Sequence, residues 1–163
     1  MIAKEDASSS DLRWGGYGKT VPDIVTSKSS STAVLDYDGA GNTPKIIEYL
    51  AGTNDGYVDG APAAEACAAF TFPNGKKGYL PALGEWKTAY NNKTAVESAM
   101  TLIGGAAIQT DFYWSSTQYS SNNSWTLSWN HGSLSNTYKG NTGYYVRAFT
   151  TLKSDEEESE GGG

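Results

Sequence analysis

Cysteine is almost missing from this chain. Cys67 is the only one in 163 residues, which excludes an intrachain disulfide and any cysteine-based metal cage. Set among Ala63, Ala64, Ala66, Ala68 and Ala69, it reads as a small apolar filler on a helix, with nothing beside it in sequence to activate the thiol. Histidine is just as scarce. His131 stands alone, so a triad, a histidine zinc site or histidine-shuttled proton transfer would hang on one residue in a predicted turn, where an exposed contact role is commoner. Charge is thin too, at 18% of residues. The formal net charge of -6 is concentrated in Asp155, Glu156, Glu157, Glu158 and Glu160. The remainder is close to neutral and lacks the basic stripe that releases counterions from nucleic acid. No apolar run is long enough to span a bilayer, and no signal peptide is visible at Met1. The expectation is therefore a chain with no cofactor, no nucleic-acid partner and no direct membrane insertion.

What is present in quantity is glycine, tyrosine and tryptophan, at 19, 11 and 5 residues. That composition favours short strands, turns and a loop-rich surface over a helical or doubly wound enzyme. The length suits one domain. Residues 1–10 lack apolar periodicity and are expected to be a flexible leader, 11–152 the domain, and 153–163 a disordered acidic and glycine tail. Within the domain, Asp36 to Gly41 is a turn cluster, and Asn42 is expected to cap a helix in which Ile46, Ile47 and Leu50 share a face. Ala61 to Phe70 is a second helical stretch, closed by the turn Phe72-Pro73-Asn74-Gly75. Gly78 to Pro81 reads as a short strand. Leu83 through Ile103 carries the longest helical spacing, with a break expected at Asn91-Asn92 and a stop at Gly104-Gly105. From Phe112 onward the pattern alternates through FYWSSTQ, SWTLSWN, a hairpin at His131-Gly132, and YYVRAF as a closing strand. Helices followed by an antiparallel sheet make an α+β pattern.

Three motifs fail on inspection. Gly15 to Thr20, GGYGKT, ends like a phosphate loop, but Arg13 occupies the place of the first required glycine. Asp36-Tyr37-Asp38-Gly39 and Asn54-Asp55-Gly56 offer oxygens to a hard cation such as calcium, without the glutamate that completes a calcium loop, and turn formation explains them more simply. Asn92-Lys93-Thr94 and Asn122-Asn123-Ser124 fit the glycosylation pattern, which chance produces often in so Asn-rich a chain.

The run from Tyr119 to Tyr144 is more specific. Trp125, Leu127 and Trp129 alternate with Thr126, Ser128 and Asn130, which predicts a strand with one buried and one wet face. Its Tyr, Ser, Gly and Asn are the mix found in antibody binding loops. Decoration of an ordinary wet sheet face is the bland alternative.

Gly78-Tyr79-Leu80-Pro81, Leu83-Gly84-Glu85-Trp86, Tyr113-Trp114-Ser115-Ser116-Thr117, Trp125-Thr126-Leu127-Ser128-Trp129 and Tyr145-Val146-Arg147 together resemble the C-type lectin-fold variable proteins of diversity-generating retroelements in gut bacteria and their phages. The resemblance runs from about Trp14 to Leu152, and its C-terminal half is the specific part. It implies a C-type lectin-like fold with two or three helices packed on one side of a twisted antiparallel sheet. It also implies that an error-prone reverse transcriptase substitutes bases opposite template adenines. Asparagine codons are then scattered to Tyr, Ser, Thr, His or Gly, while tryptophan codons, lacking adenine, survive.

The same resemblance implies a set of diversified, ligand-contacting positions: Tyr119, Ser121, Asn122, Asn123, Thr126, Ser128, Asn130, His131, Ser133, Ser135, Asn136, Thr137, Tyr138, Gly140, Asn141 and Tyr144. Trp114, Leu127, Gly132, Leu134, Tyr145, Val146 and Arg147 would be framework. The implied function is non-catalytic ligand binding, by a receptor-binding or adhesin module displayed on a virion or bacterial cell surface, toward a cell-surface protein or glycan. Homo-oligomerisation or fusion to a fibre or pilus is part of that expectation. An invariant tip subunit of a pilus or phage fibre is the alternative. Animal calcium-dependent lectins use disulfides and a Glu-Pro-Asn or Gln-Pro-Asp loop, and this chain has neither. Formylglycine-generating enzymes share the fold but need cysteines that Cys67 does not supply.

Overall fold

The computed structural model describes residues 1–8 and 12–152; the expected tail at 153–163 lies outside them. Five helices precede a three-stranded antiparallel sheet, so the chain is α+β. The helices are α1 (Ser30–Ala33), α2 (Gly39–Leu50), α3 (Pro62–Ala69), α4 (Leu83–Asn91) and α5 (Lys93–Leu102), and the strands are β1 (Phe112–Gln118), β2 (Asn123–Ser128) and β3 (Leu134–Tyr138), in spatial order β1-β2-β3. The count exceeds the two or three helices expected for two reasons. The long helical pattern divides at Asn92, and Ser30 to Ala33 make a single turn that carries no sequence periodicity.

Two apolar clusters form, one against each face of the sheet. Neighbouring residues on a strand point to opposite sides, so Tyr113 and Trp114 enter different cores. Trp114 packs with Trp14, Ile46 and Leu50 of α2, and Ala63, Ala64 and Cys67 of α3. Tyr113, Trp125, Leu127 and Trp129 pack with Leu83, Trp86 and Ala89 of α4. Helices therefore flank both faces of the sheet, where packing on one side was expected. All five tryptophans are buried, and each indole N–H finds an acceptor: Ser115 O, Trp114 O, Leu12 O, Ser27 O and the Glu97 carboxylate for Trp14, Trp86, Trp114, Trp125 and Trp129 respectively. Satisfied in this way, the rings contribute their large buried area without an orphaned donor.

The polar stretch Ser115 to Thr117 is equally buried. Here the β1–β2 register shifts, from Trp114 opposite Thr126 to Gln118 opposite Ser124; the Ser115 hydroxyl donates to Trp125 O within the sheet, while those of Ser116 and Thr117 face the helices. Thr117 Oγ1 accepts the Leu83 N–H at the start of α4 and donates to Asp36, whose other partners are the Asp38 N–H and the Asn42 side chain. Asn42 is thus not the cap of α2. Asp38 caps it, accepting from the Gly41 N–H, and Asn42 lies one turn inside, buried and bonded to Asp36 and Ser116. Glu85 ties the same corner together, accepting from the Gly39 and Ala82 N–H groups and from the Tyr79 hydroxyl.

Residues 1–8 are not the detached leader expected from their missing periodicity. Ile2 bridges Phe149, the Ala3 N–H donates to Ala148 O, and the Ala7 N–H to Val146 O. Arg147, almost fully buried, holds this edge: its Nε donates to Asp6 at 2.9 Å and its terminal nitrogens to Ala3 O, Ala106 O and Ala107 O. The closing segment Tyr144 to Phe149 forms bridges, not a ladder. It pairs parallel with β1 at Tyr145 and antiparallel with Ile2 and Tyr79 at Phe149, so each partner change stops a strand from extending. Among the described residues no helix is long and apolar enough to cross a membrane.

Candidate binding surface

The expected contact residues divide into three groups. Thr126, Ser128 and Thr137 are buried and cannot meet a ligand. Their residue types look wet, but their strand phase is that of Trp114, so they lie over a packed face. Thr126 Oγ1 bonds Ser135 O at 3.2 Å and lies 3.3 Å from Thr137 Oγ1, and Ser128 Oγ accepts the His131 N–H. Ser124 Oγ, in the same row, is buried without a partner. The one-wet-face reading of β2 is therefore corrected: the polar side of the strand is buried as well, its hydroxyls facing protein and not solvent.

A second group sits at the hairpin tip. Asn130, His131 and Ser133 are exposed, with the Asn130 side-chain nitrogen 3.0 Å from His131 Nε2. Gly132 makes the tip tight: its φ is +72° and the Tyr90 ring lies where a Cβ would project. The framework assignment of Gly132 thus has a steric basis.

The third group gathers at the other end of β3, five residues or about 17 Å away at strand rise. Asn136, Tyr138 and Asn141 are exposed and Tyr119, Ser121, Asn122, Asn123 and Gly140 half-buried; Ser135 and Tyr144, also half-buried, lie apart from this end, Ser135 near the start of β3 and Tyr144 beside the start of β1. Asn123 donates to Asn136 across the strand pair at 2.7 Å. Tyr119 packs edge-on against Trp125 with Lys28 5.9 Å from its ring centre, and Tyr144 leans on Trp114 and Phe112.

Beneath this end lies Lys139, fully buried. Its ammonium donates to Lys19 O and Gln118 Oε1, each at 2.8 Å, and sits 4.6 Å from the centre of the Trp14 ring. Burial pushes its pKa down to about 7. Its backbone carbonyl accepts from the Trp14 and Gly15 N–H groups, so the glycine-rich loop is sewn to β3.

That stitching brings in residues the sequence did not flag. Tyr17, inside the failed phosphate-loop motif, meets the exposed ring of Tyr138, and Tyr57, directly after the Asn54-Asp55-Gly56 turn, packs in turn on Tyr17. A tyrosine between turn glycines was the available signal. Asp55 accepts from the Tyr17, Tyr57 and Val58 N–H groups. Burial alone would raise its pKa, but these donors outweigh it and hold the carboxyl low. Its oxygens serve the loop, as those of Asp36 and Asp38 serve α2. No group of three or more His, Cys, Asp or Glu converges among the described residues. Cys67 is buried on α3, and burial, with Asp6 nearby, pushes its thiol up. A cavity of about 980 Å³ opens elsewhere, lined by apolar residues including Phe70, Phe72 and Met100, with no carboxylate, histidine or cysteine in its wall.

No protein-family model matches the chain, and neither a curated protein nor a solved structure is significantly similar to it.

Proposed function

We propose that the chain is a non-catalytic ligand-binding domain with a C-type lectin-like fold, a variable protein of a diversity-generating retroelement acting as a receptor-binding or adhesin module at a virion or bacterial surface. The observation that carries this reading is the division within residues 123–141. Trp125, Leu127 and Trp129 are buried, while Asn130, His131, Ser133, Asn136, Tyr138 and Asn141 stand exposed in one hairpin and its exit. Shape is held chiefly by tryptophans, whose codon lacks adenine, and contact is offered by residues reachable from asparagine codons. Tyrosine anchors with Asn and Ser around them suit a macromolecular partner, protein or glycan.

Deep sequencing of the 119–144 region from one population tests the proposal. Variation should fall on the exposed positions and spare the tryptophans, and a template repeat and a reverse transcriptase gene should lie beside the coding sequence. An invariant region in a locus lacking both would remove the retroelement from the account. One observation favours a second reading, an assembly subunit of a pilus or fibre: Leu102 and Ile103 at the end of α5 are exposed apolar residues beside the Phe70–Met100 cavity. Light scattering across a concentration series separates a self-assembling subunit from a monomeric module.

A further inference from the structure

Three tyrosines from three distant segments meet at one end of the β2–β3 hairpin. The ring centres of Tyr17 and Tyr57 lie 5.6 Å apart and those of Tyr17 and Tyr138 6.0 Å, both edge-to-face. Tyr57 and Tyr138 are 56% and 54% exposed. Their supports are tied down. Asp55 fixes the Tyr17 and Tyr57 backbones, Lys139 binds the loop through Trp14, Gly15 and Lys19, and the Gly18 N–H donates to Ser121 O. Rings held on fixed backbone lose little freedom when a partner covers them. The Arg13 guanidinium lies 6.0 Å from the Tyr57 ring centre while its Nε donates to Gly140 O at 2.8 Å.

Tyrosine and arginine are the side chains enriched at the energetic centres of protein–protein interfaces. Small-molecule sites are concave, whereas four cavities among the described residues are lined by other segments and the Tyr57 and Tyr138 rings stand in the open. Building on the ligand-binding reading above, we propose that Tyr17 and Tyr57 join Tyr138 as the aromatic anchor of the binding surface, that its occupant is a folded protein, and that residue 140 sets the pose of Tyr57. A Cβ at Gly140 would stand 2.8 Å from Cδ2 and 3.0 Å from Cε2 of Tyr57, closer than side chains approach. Any other residue at 140 therefore pushes the Tyr57 ring aside and opens its contact with Tyr17. Position 140 belongs to the proposed diversified set, so change there reaches a tyrosine outside that set.

The test uses a phage-displayed synthetic library of fibronectin-type domains panned on the whole chain. Recovered binders are titrated against three folded double variants: Y17A/Y57A, N130A/H131A at the hairpin tip, and Y37A/Y49A as exposed tyrosines elsewhere. Most binders should lose at least tenfold affinity on Y17A/Y57A and none on Y37A/Y49A. Loss confined to the tip variant overturns the anchor while leaving ligand binding by 119–144 in place; loss on neither the anchor nor the tip variant overturns both. Binding to a neutral oligosaccharide array that disappears in Y17A/Y57A overturns the protein occupant. Separately, Gly140→Asn should abolish nuclear Overhauser contacts between the Tyr17 and Tyr57 rings, and their persistence overturns the coupling.

Discussion

Replacing Lys139 with methionine should erase a pH dependence of stability that the wild-type chain carries. The ammonium is buried without a carboxylate among its described partners, and burial lowers its pKa from 10.5 to about 7. A base whose folded pKa lies below its unfolded value binds fewer protons when folded, so stability rises with pH between the two values. Below pH 7 both states are protonated and the folded state bears the full cost of the buried charge. Toward pH 10.5 that cost disappears. At about 1.4 kcal/mol per unit the ceiling is near 5 kcal/mol. The Trp14 ring opposes it, since a desolvated cation over an aromatic face gains about 1–2 kcal/mol. With local relaxation, a rise of roughly 2–3 kcal/mol between pH 6.5 and 9.5 is expected.

Urea unfolding of wild type and Lys139→Met across that range measures it. The partly buried Met1 ammonium, its pKa also lowered by desolvation, adds a slope of the same sign to both proteins and cancels in the difference. In the variant Gln118 Oε1 keeps the Val21 N–H, while Lys19 O loses its ammonium donor at a cost of about 1 kcal/mol. Near pH 6.5 the variant should therefore be at least as stable as wild type. Parallel curves for the two proteins would refute the reasoning.

Gly132→Ala should lower stability by about 2 kcal/mol or more, because a positive φ and the Tyr90 ring act together. Gly18→Ala, at φ +85° with open space around it, should cost only about 1 kcal/mol, both variants being measured by scanning calorimetry. Arg147→Met removes the cation beside Asp6, which keeps its neutral donors Tyr113 and Gln109, and the arginine donor of three carbonyl groups; a loss of about 3 kcal/mol is expected, with limited proteolysis cutting first within residues 1–8. Thr126→Arg should destabilise by at least about 2 kcal/mol in chemical denaturation, whereas Asn136→Arg, exposed on β3, should stay within about 0.5 kcal/mol.

Much of the chain's local order was legible because it is carried by nearby residues. The β1 limits follow from its run of three aromatic and then three hydroxyl residues, in which the aromatics and Thr117 favour strands, and the division between α4 and α5 from paired asparagines that end a helix cheaply. What could not be read depends on contacts remote in sequence. Thr126 and Ser128 look like solvent residues by type, and their burial depends on a packed face shared with Trp114 and Trp14. Asn42 has the type of a cap, yet Asp36 and Ser116 draw it inside. Residues 1–8 show no periodicity because Arg147, 141 positions from Asp6, is what holds them. Of the contact surface, the hairpin was visible as a run, while Tyr17 and Tyr57 join it only through the folded backbone.

The bridge between Ile2 and Phe149 also has a geometric consequence for grafting and permutation of the described residues. Strand pairing at that point brings the two ends of the described domain to adjacent positions, about 5 Å apart at paired Cα atoms. A domain entered and left through one doorway can be spliced into a surface loop of another protein without stretching its host. It can equally be reopened elsewhere and joined across that doorway by a short linker, with the hairpin untouched. The same closure that buries Arg147 makes the domain a cassette.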